Sequence, residues 1–260
     1  MVPHPQGAVL SDALGEVPEV LLVRRVRRVL VLALALLTGN ASASGVDAAD
    51  HDAFWLWSGV AAQPVLAQAR TLYVLQGQVS APRYRDGRAR LIAQGIAIPR
   101  LKQGKVWVVY RAHTLRWDED IYRTLLSQLR RWRAAGNPMV GVQIDFDART
   151  RYLDEYVDFL QNLRQRLPAD CKLSITGLMD WGSNAAPETI NRLAGVVDEV
   201  VVQTYQGRRT IPNYQAYLPR VARLQLPFRI GLAQYGEWQA PDYLAKSRWF
   251  RGYVVFLQNP

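Results

Sequence analysis

The chain has 260 residues, of which 49% are hydrophobic and 10% aromatic, and its formal net charge is +10. This composition excludes a disordered chain and is sufficient for one sizeable core. Cys171 is the only cysteine, which excludes an intrachain disulfide and a cysteine metal site, and the three histidines lie far apart, so we expect neither a metal nor a cofactor.

The N-terminal region has the pattern of an export signal. Four arginines within residues 24–28 precede a short apolar run at 29–37, and an Ala-x-Ala-like cleavage pattern ends at Ala43. The apolar run is too short to form a stable membrane-spanning helix. We therefore predict that residues 1–43 are a signal peptide or N-terminal extension and that 44–260 form one domain, without an integral membrane span, in the periplasm or outside the cell. An uncleaved amphipathic tail is the alternative.

Apolar runs typical of strands buried on both faces recur after this region. They lie at 54–60, 72–79, 106–112, 139–146, 173–179, 199–205, 228–234 and 253–259. Helical periodicity separates the later runs, at 118–136, 151–168, 186–197 and 213–224.

Strands and helices that alternate up to a total of eight strands predict an α/β fold of the (β/α)8 TIM-barrel type. We expect a modified or incomplete barrel, because 80–104 shows no clear amphipathic helix and no helical pattern follows the eighth run. A doubly wound open sheet is the alternative, but the sequence has no glycine-rich phosphate loop to support it.

The charge and the export pattern together restrict the partners. No run of basic residues interleaved with aromatic residues follows the signal region, and export also argues against nucleic acid. An exported basic protein favours an anionic envelope polymer. We therefore expect a polysaccharide or oligosaccharide as the partner, and no nucleic acid. The positive net charge is compatible with an anionic saccharide. Codon bias would explain the excess of arginine over lysine equally well.

Polar and aromatic residues concentrate at the carboxyl ends of the predicted strands, where barrels of this type carry their sites. Amides and carboxylates hydrogen-bond sugar hydroxyls, and indole rings cover the C–H faces of sugars, so this concentration predicts a carbohydrate cleft. The substrate-binding candidates are Gln143, Asp180, Trp181, Gln203, Tyr205, Gln234, Tyr235, Glu237, Trp238 and Gln258.

The stretch "VGVQIDFDA", residues 140–148, carries the candidate catalytic groups. Alternate residues of a strand share a face, so Gln143, Asp145 and Asp147 are expected to point the same way. Asp147, at the mouth, would protonate a glycosidic oxygen, and Asp145, one layer deeper, would be its close carboxylate partner. Two nearby carboxylates do not both ionise freely, so we expect one apparent pKa to be raised. The alternative is that hydrogen bonds hold Asp145 inside the barrel, where it only shapes the fold.

Several segments carry a family resemblance. "VGVQIDFDA", "LSITGLMDWGS", "VDEVVVQTYQG", "LPFRIGLAQYGEW" and "GYVVFLQNP" together resemble a secreted bacterial family known as domain of unknown function 3142. More distantly, residues 140–147 are similar to the D-G-x-D-x-D-x-E motif of the family-eighteen glycoside hydrolases, the chitinase-like barrels.

This second resemblance implies roles for three residues. Asp147 would be the proton donor, Asp145 would orient the acetamido group of the substrate, and Tyr205 would lie beside the reacting sugar. The sequence departs from the motif in having Asp147 in place of the donor glutamate, and Val140 and Gln143 in place of the first two aspartates. An ordinary two-carboxylate mechanism, in which Asp180 or Glu237 faces Asp147, is the second enzymatic option.

The sequence therefore supports three hypotheses. The leading one is a periplasmic or secreted glycoside hydrolase that acts on a polysaccharide, with Asp147 as general acid and Asp145 as its orienting and electrostatic partner. The alternative is a catalytically inactive barrel that binds an envelope polysaccharide or exopolysaccharide. A scaffold for partner proteins is the third.

Overall fold

The computed structural model describes residues 44–81, 87–95, 98, 100, 101 and 104–259. Within them, eight strands pair in parallel, each with the next along the chain. Strand β8 pairs in turn with β1, so the sheet closes into a barrel and the open-sheet alternative is wrong. The strands are β1 (Ala53–Leu56), β2 (Thr71–Ser80), β3 (Lys105–Ala112), β4 (Met139–Asp145), β5 (Lys172–Leu178), β6 (Glu199–Gln203), β7 (Phe228–Ala233) and β8 (Phe250–Phe256).

Helices follow the middle and later strands and cover the barrel. They are α1 (Glu119–Ala134), α2 (Leu153–Arg166), α3 (Trp181–Asn184), α4 (Pro187–Ala194), α5 (Leu218–Val221) and α6 (Asp242–Ala245). The ends of helix α1 carry the residues that are typical of helix ends. The Asp118 side chain accepts a hydrogen bond from the Ile121 N–H at its start, and arginines occupy its last turn. Such caps and charges complement the helix dipole.

The predicted helix at 213–224 is shorter than expected. It consists of a 3-10 turn, Tyr214–Ala216, and the single turn of α5. Pro219 lies in the first turn of α5, where its missing N–H does no harm, whereas in the interior of a longer helix it would remove a hydrogen bond. The proline therefore divides the segment.

The irregular second unit that the sequence predicted is a hairpin in its described part. Arg90–Ala93 pairs antiparallel with Gly77–Ser80 at the upper end of β2. Strand β1 pairs only with the lower end of β2, at Thr71–Val74, so the extra strand extends the wall above β1. The barrel is thus a modified (β/α)8 barrel, as predicted.

Side chains fill the barrel interior. An apolar layer contains Trp55, Tyr73, Leu75, Trp107, Val109, Val201 and Val254. Below it lies a buried ion pair, in which Arg229 Nε donates to Glu199 Oε2 at 2.9 Å, and the Tyr73 hydroxyl donates to Glu199 Oε1 at 2.6 Å. Because the interior is packed, a ligand can reach the barrel only at its ends.

In the described part of the chain, no helix combines the length and the apolar character that crossing a bilayer requires. The predicted signal region, 1–43, lies outside the described residues, so its cleavage and the bounds of the domain stay predictions.

Candidate functional site

Asp145 is the last residue of β4 and lies at the carboxyl end of the barrel, with 6% of its surface exposed. Thr176 Oγ1 of β5 donates to its Oδ1 at 3.0 Å, and Arg111 Nε of β3 lies 3.8 Å from its Oδ2. Burial raises the pKa of Asp145 to about 6, although Arg111 and the Thr176 hydrogen bond both act to lower it. Asp145 is therefore a carboxyl group that changes its charge in mildly acidic to neutral solution.

Asp147 lies two residues beyond the end of β4 and is exposed. Phe146, between the two aspartates, packs against Tyr156 of α2, with ring centroids 5.1 Å apart. The Asp147 carboxylate makes no hydrogen bond or ion pair with any described residue, so it is accessible to a ligand. The expected crowding of the two acids is the smallest of the causes that raise or lower the pKa of Asp145, and burial is the largest. The charge of Asp147 thus contributes to the raised pKa as predicted, but burial is its main cause.

Three aromatic residues, Trp57, Tyr205 and Phe256, form what we call the aromatic rim. The Tyr205 and Phe256 rings stack with centroids 5.7 Å apart, and Trp57 meets Phe256 edge to face at 5.5 Å. The Arg111 guanidinium lies 5.3 Å from the centroid of the Trp57 ring. Burial raises the pKa of the Tyr205 hydroxyl, with a further contribution from the Asp145 charge, so this hydroxyl stays protonated. The rim thus lies within electrostatic reach of Asp145.

The rim also holds an unused donor. The indole nitrogen of Trp57 is buried and has no hydrogen-bond partner among the described residues. A buried donor without a partner is uncommon and costs free energy, so a hydroxyl that reached this nitrogen would satisfy it. Trp57, Phe256 and Arg111 were not among the predicted site residues, although all three lie at or near strand ends where the sequence could have suggested them.

Gln143 does not reach the mouth. It is fully buried one layer below Asp145, where its Oε1 accepts from Trp55 Nε1 at 2.7 Å and its Nε2 donates to Ser174 Oγ at 3.0 Å. The prediction that it contacts substrate is therefore wrong, because both ends of its amide are already bonded inside the barrel. Gln203, at the end of β6, is half-buried beside Tyr205.

Two further amides fasten loops together. Gln234 and Gln63 exchange side-chain hydrogen bonds of 2.8 and 3.1 Å, and the backbone N–H of Gln258 donates to Gln234 Oε1. The Gln258 side chain accepts from Arg208 Nε at 2.7 Å. These contacts join the loop after β1 to the ends of β7 and β8, so Gln234 supports the mouth. Nε2 of Gln258 is buried and has no partner among the described residues, and the role of Gln258 in binding stays a prediction.

The two tryptophans predicted as sugar platforms are both buried. Trp181 is 4% exposed, and its indole N–H donates to the Ala148 carbonyl at 2.9 Å. Trp238 is 7% exposed and stacks on Tyr214 with ring centroids 5.0 Å apart. Neither ring has a free face, so the prediction that they bind sugar is wrong.

The remaining three candidates lie elsewhere at the same end of the barrel. Asp180 Oδ2 accepts from Thr150 Oγ1 at 2.8 Å, while its Oδ1 is buried without a partner in the described chain. Tyr235 and Glu237 are exposed and line a separate cavity. Within the described residues, no group of histidines, cysteines and acids is arranged to hold a metal ion.

The comparison with protein families supports the predicted resemblance. Residues 113–239, just under half of the chain, match the family described as Domain of unknown function (DUF3142). This segment contains β4 and the site residues from Asp145 to Tyr235, but it does not include Trp57, Arg111 or Phe256. The comparison with curated proteins finds no match.

Solved structures similar to this chain include an inhibitor of xylanase and α-amylase, a chitinase domain and a spore cortex-lytic enzyme. The inhibitor protein XAIP-III, a xylanase and α-amylase inhibitor, has a TM-score of 0.51 at 11% identity, covering 78% of this chain and 91% of its own. The chitinase domain of the Clostridium difficile spore coat protein CotE has a TM-score of 0.46 at 12% identity, covering 77% and 69%. The Bacillus cereus spore cortex-lytic enzyme SleL has a TM-score of 0.47 at 18% identity, covering 69% of this chain and 49% of SleL. The chain thus spans about half of SleL, and at such identities the likeness is one of fold.

Proposed function

We propose that the mouth of this barrel binds a polysaccharide or oligosaccharide and hydrolyses a glycosidic bond, with Asp147 as general acid. The observation that carries the proposal is the pair of carboxyl groups at the end of β4. One of them, Asp147, is exposed and unbonded, and the other, Asp145, is buried with a pKa of about 6. Most glycoside hydrolases use two carboxyl groups in different environments beside the scissile bond.

Each acid then has its own role. Asp147 is free to reach the glycosidic oxygen and deliver a proton as the bond to the anomeric carbon breaks. A water molecule then adds to the anomeric carbon and returns a proton to Asp147, which completes the hydrolysis. Asp145, fixed by Thr176 and held near Arg111, is ionised above its pKa of about 6 and then supplies negative charge that favours the positive charge developing on the sugar ring. Since Asp145 is held in place before the substrate binds, this stabilisation requires no rearrangement in the transition state.

The aromatic rim positions the sugar in this proposal. The rings of Tyr205 and Phe256 offer an apolar surface to the C–H face of a sugar ring, and the free indole N–H of Trp57 is a donor for a hydroxyl. The Tyr205 hydroxyl, protonated at all moderate pH values, is a second donor. We further propose, from the pattern of residues 24–43, that this takes place in the periplasm or outside the cell.

Binding without hydrolysis is the second candidate, and the position of Arg111 favours it. Its guanidinium lies near the Asp145 carboxylate and against Trp57, so it offsets part of the charge that hydrolysis would need. Asp147 is also shorter by one methylene than the glutamate of the chitinase-like motif, which withdraws the acid from the sugar.

The two candidates separate in one experiment. The protein starting at Ser44 is incubated with a panel of polysaccharides, and the release of reducing ends is measured beside binding in affinity gels. We expect Asp147→Asn to abolish release while sparing binding, and Asp242→Asn, an exposed acid on α6, to change neither. Binding by the wild type without release from any panel member leaves only the second candidate, and the absence of both contradicts the proposal as a whole.

A further inference from the structure

A second groove lies beside the mouth, with a cavity volume of about 510 Å³, which is within the usual range for small-ligand pockets. One wall contains Arg209–Thr210, which pairs with Tyr205–Gln206 in a hairpin. Tyr205, at one end of this hairpin, belongs to the aromatic rim, so the groove adjoins the mouth. We call it the side groove, and it is lined by residues 208–215 and 235–237.

Two strained backbone positions meet in the side groove. Among the described residues other than glycine, positive φ angles occur at Asn213 (58°) and Tyr235 (65°), and both line this cavity. Asparagine tolerates this conformation, but tyrosine does so poorly. The N–H of Tyr235 donates to the Val46 carbonyl at 3.0 Å, and 58% of the residue is exposed. The turn thus presents an aromatic ring to solvent in the side groove, where the face of a ligand ring can lie against it.

The charges of the side groove indicate what that ligand carries. The guanidinium of Arg208 is fixed by hydrogen bonds to the Gln258 side chain and the Asn259 carbonyl. Arg209 is exposed and makes no hydrogen bond or ion pair with the described residues, so its planar fork is free to take a carboxylate in two parallel hydrogen bonds. Glu237 lies in the same groove, and its negative charge would repel an anion of high charge density such as a polyphosphate. An isolated carboxylate on a sugar with free hydroxyls suits this combination.

We propose that the side groove is a saccharide subsite that selects an acidic sugar. The carboxylate of a uronic acid residue binds Arg209, its ring lies against Tyr235, and Glu237 accepts a hydroxyl. This rests on the proposed function, because it extends the saccharide held at the mouth. It assigns the substrate to the uronate-containing polysaccharides, in keeping with the formal net charge of +10.

The test compares acidic and neutral oligosaccharides by calorimetry, with oligogalacturonate as the acidic probe and a cello-oligosaccharide of the same length as the neutral one. Arg209→Gln is expected to weaken oligogalacturonate binding about tenfold and to leave neutral binding unchanged. Arg209→Lys, which keeps the charge without the fork, should fall between. Arg223→Gln, at another exposed arginine, is the matched control and should behave as the wild type.

Tyr235→Asn separates a binding role from a structural one. Asparagine relieves the backbone strain, so the melting temperature should stay the same or rise, while affinity for oligogalacturonate falls. A protein that binds both probes equally, binds neither, or keeps its preference in Arg209→Gln overturns the inference. The proposed hydrolysis is tested separately through Asp147→Asn, so a side groove that selects uronate in an inactive protein would refute hydrolysis alone.

Discussion

Arg111 and Asp145 are direct neighbours across β3 and β4, and the nitrogen Nε of Arg111 lies 3.8 Å from Oδ2 of Asp145. The same guanidinium lies over Trp57 at 5.3 Å from the ring centroid, and 38% of the Arg111 side chain is exposed. One cation therefore connects a buried carboxyl group to the aromatic rim. The charge of Asp145 determines how firmly Arg111 is held there, so pH and ligand binding act on the same contact.

Replacing Arg111 should raise the pKa of Asp145 further above its present value of about 6. Arg111 is the largest influence that lowers this pKa, so its loss in Arg111→Gln leaves burial less opposed. Carboxyl carbon NMR across a pH series measures the change, with Asp145→Asn identifying the resonance. Arg111→Lys, which keeps a positive charge, should shift it less. An unchanged or lower pKa in Arg111→Gln would show that the ion pair has no electrostatic consequence.

Asp145 should also make the protein less stable as the pH rises. Its pKa is higher in the folded protein than the ordinary value of 3.8, so the folded state holds this proton more tightly, and the resulting stability is lost between about pH 4 and pH 6. A shift from 3.8 to about 6 corresponds to roughly 3 kcal/mol. Asparagine does not titrate, so the free energy of unfolding of Asp145→Asn does not fall in this way. The difference in unfolding free energy between Asp145→Asn and the wild type should therefore shift in favour of the variant, by up to that roughly 3 kcal/mol, from about pH 3.5 to pH 8. Urea unfolding at both pH values measures it, and a difference that does not vary with pH would contradict the assignment.

The barrel could be predicted from sequence because its strands are short apolar runs at regular intervals. A strand that is buried on both faces is an almost continuous apolar run, which can be recognised in the sequence without knowing which strands lie next to it. The position of the site followed from the same reasoning, since side chains that end adjacent parallel strands meet at one edge. Asp145, Tyr205 and Asp147 were found in this way. For 80–104 the sequence left a hairpin and an irregular excursion as alternatives, and the pairing of Arg90–Ala93 with the upper end of β2 is the hairpin.

What covers a side chain could not be predicted. The segment after β4 packs on Trp181, whose indole N–H donates to the Ala148 carbonyl. The ring of Tyr214 stacks on Trp238 and covers it. The pairing of Arg111 with Asp145 depends on the register between β3 and β4, which sequence periodicity does not specify. Sequence thus located the polar and aromatic groups, and the loops and registers determined which of them remain free.

The buried ion pair between Glu199 and Arg229 should behave as a coupled unit. Arg229→Met leaves the Glu199 carboxylate buried with only the Tyr73 and Ser174 hydroxyls as partners, and should cost about 3–5 kcal/mol of unfolding free energy. Adding Glu199→Gln removes the uncompensated charge and should restore part of that loss. Denaturant unfolding of the wild type, both single variants and the double variant provides the cycle. Additive losses would mean that the two groups do not stabilise each other.

Gly141 should be required for the pairing of β4 with β5 in the closed barrel. A Cβ atom at this position of β4 would lie 2.0 Å from the Lys172 carbonyl oxygen and 2.6 Å from its carbon, both in the backbone of β5. Backbone atoms paired in a closed sheet cannot move aside as a flexible side chain can, so Gly141→Ala should cost about 3 kcal/mol or more. Gly45→Ala is the matched control, because nothing lies within 4 Å of its added Cβ, and it should be neutral within about 0.5 kcal/mol. Equal melting temperatures for the two variants would mean that β4 and β5 are not paired at this register, and the position of Asp145 beside Thr176 would then lose its basis.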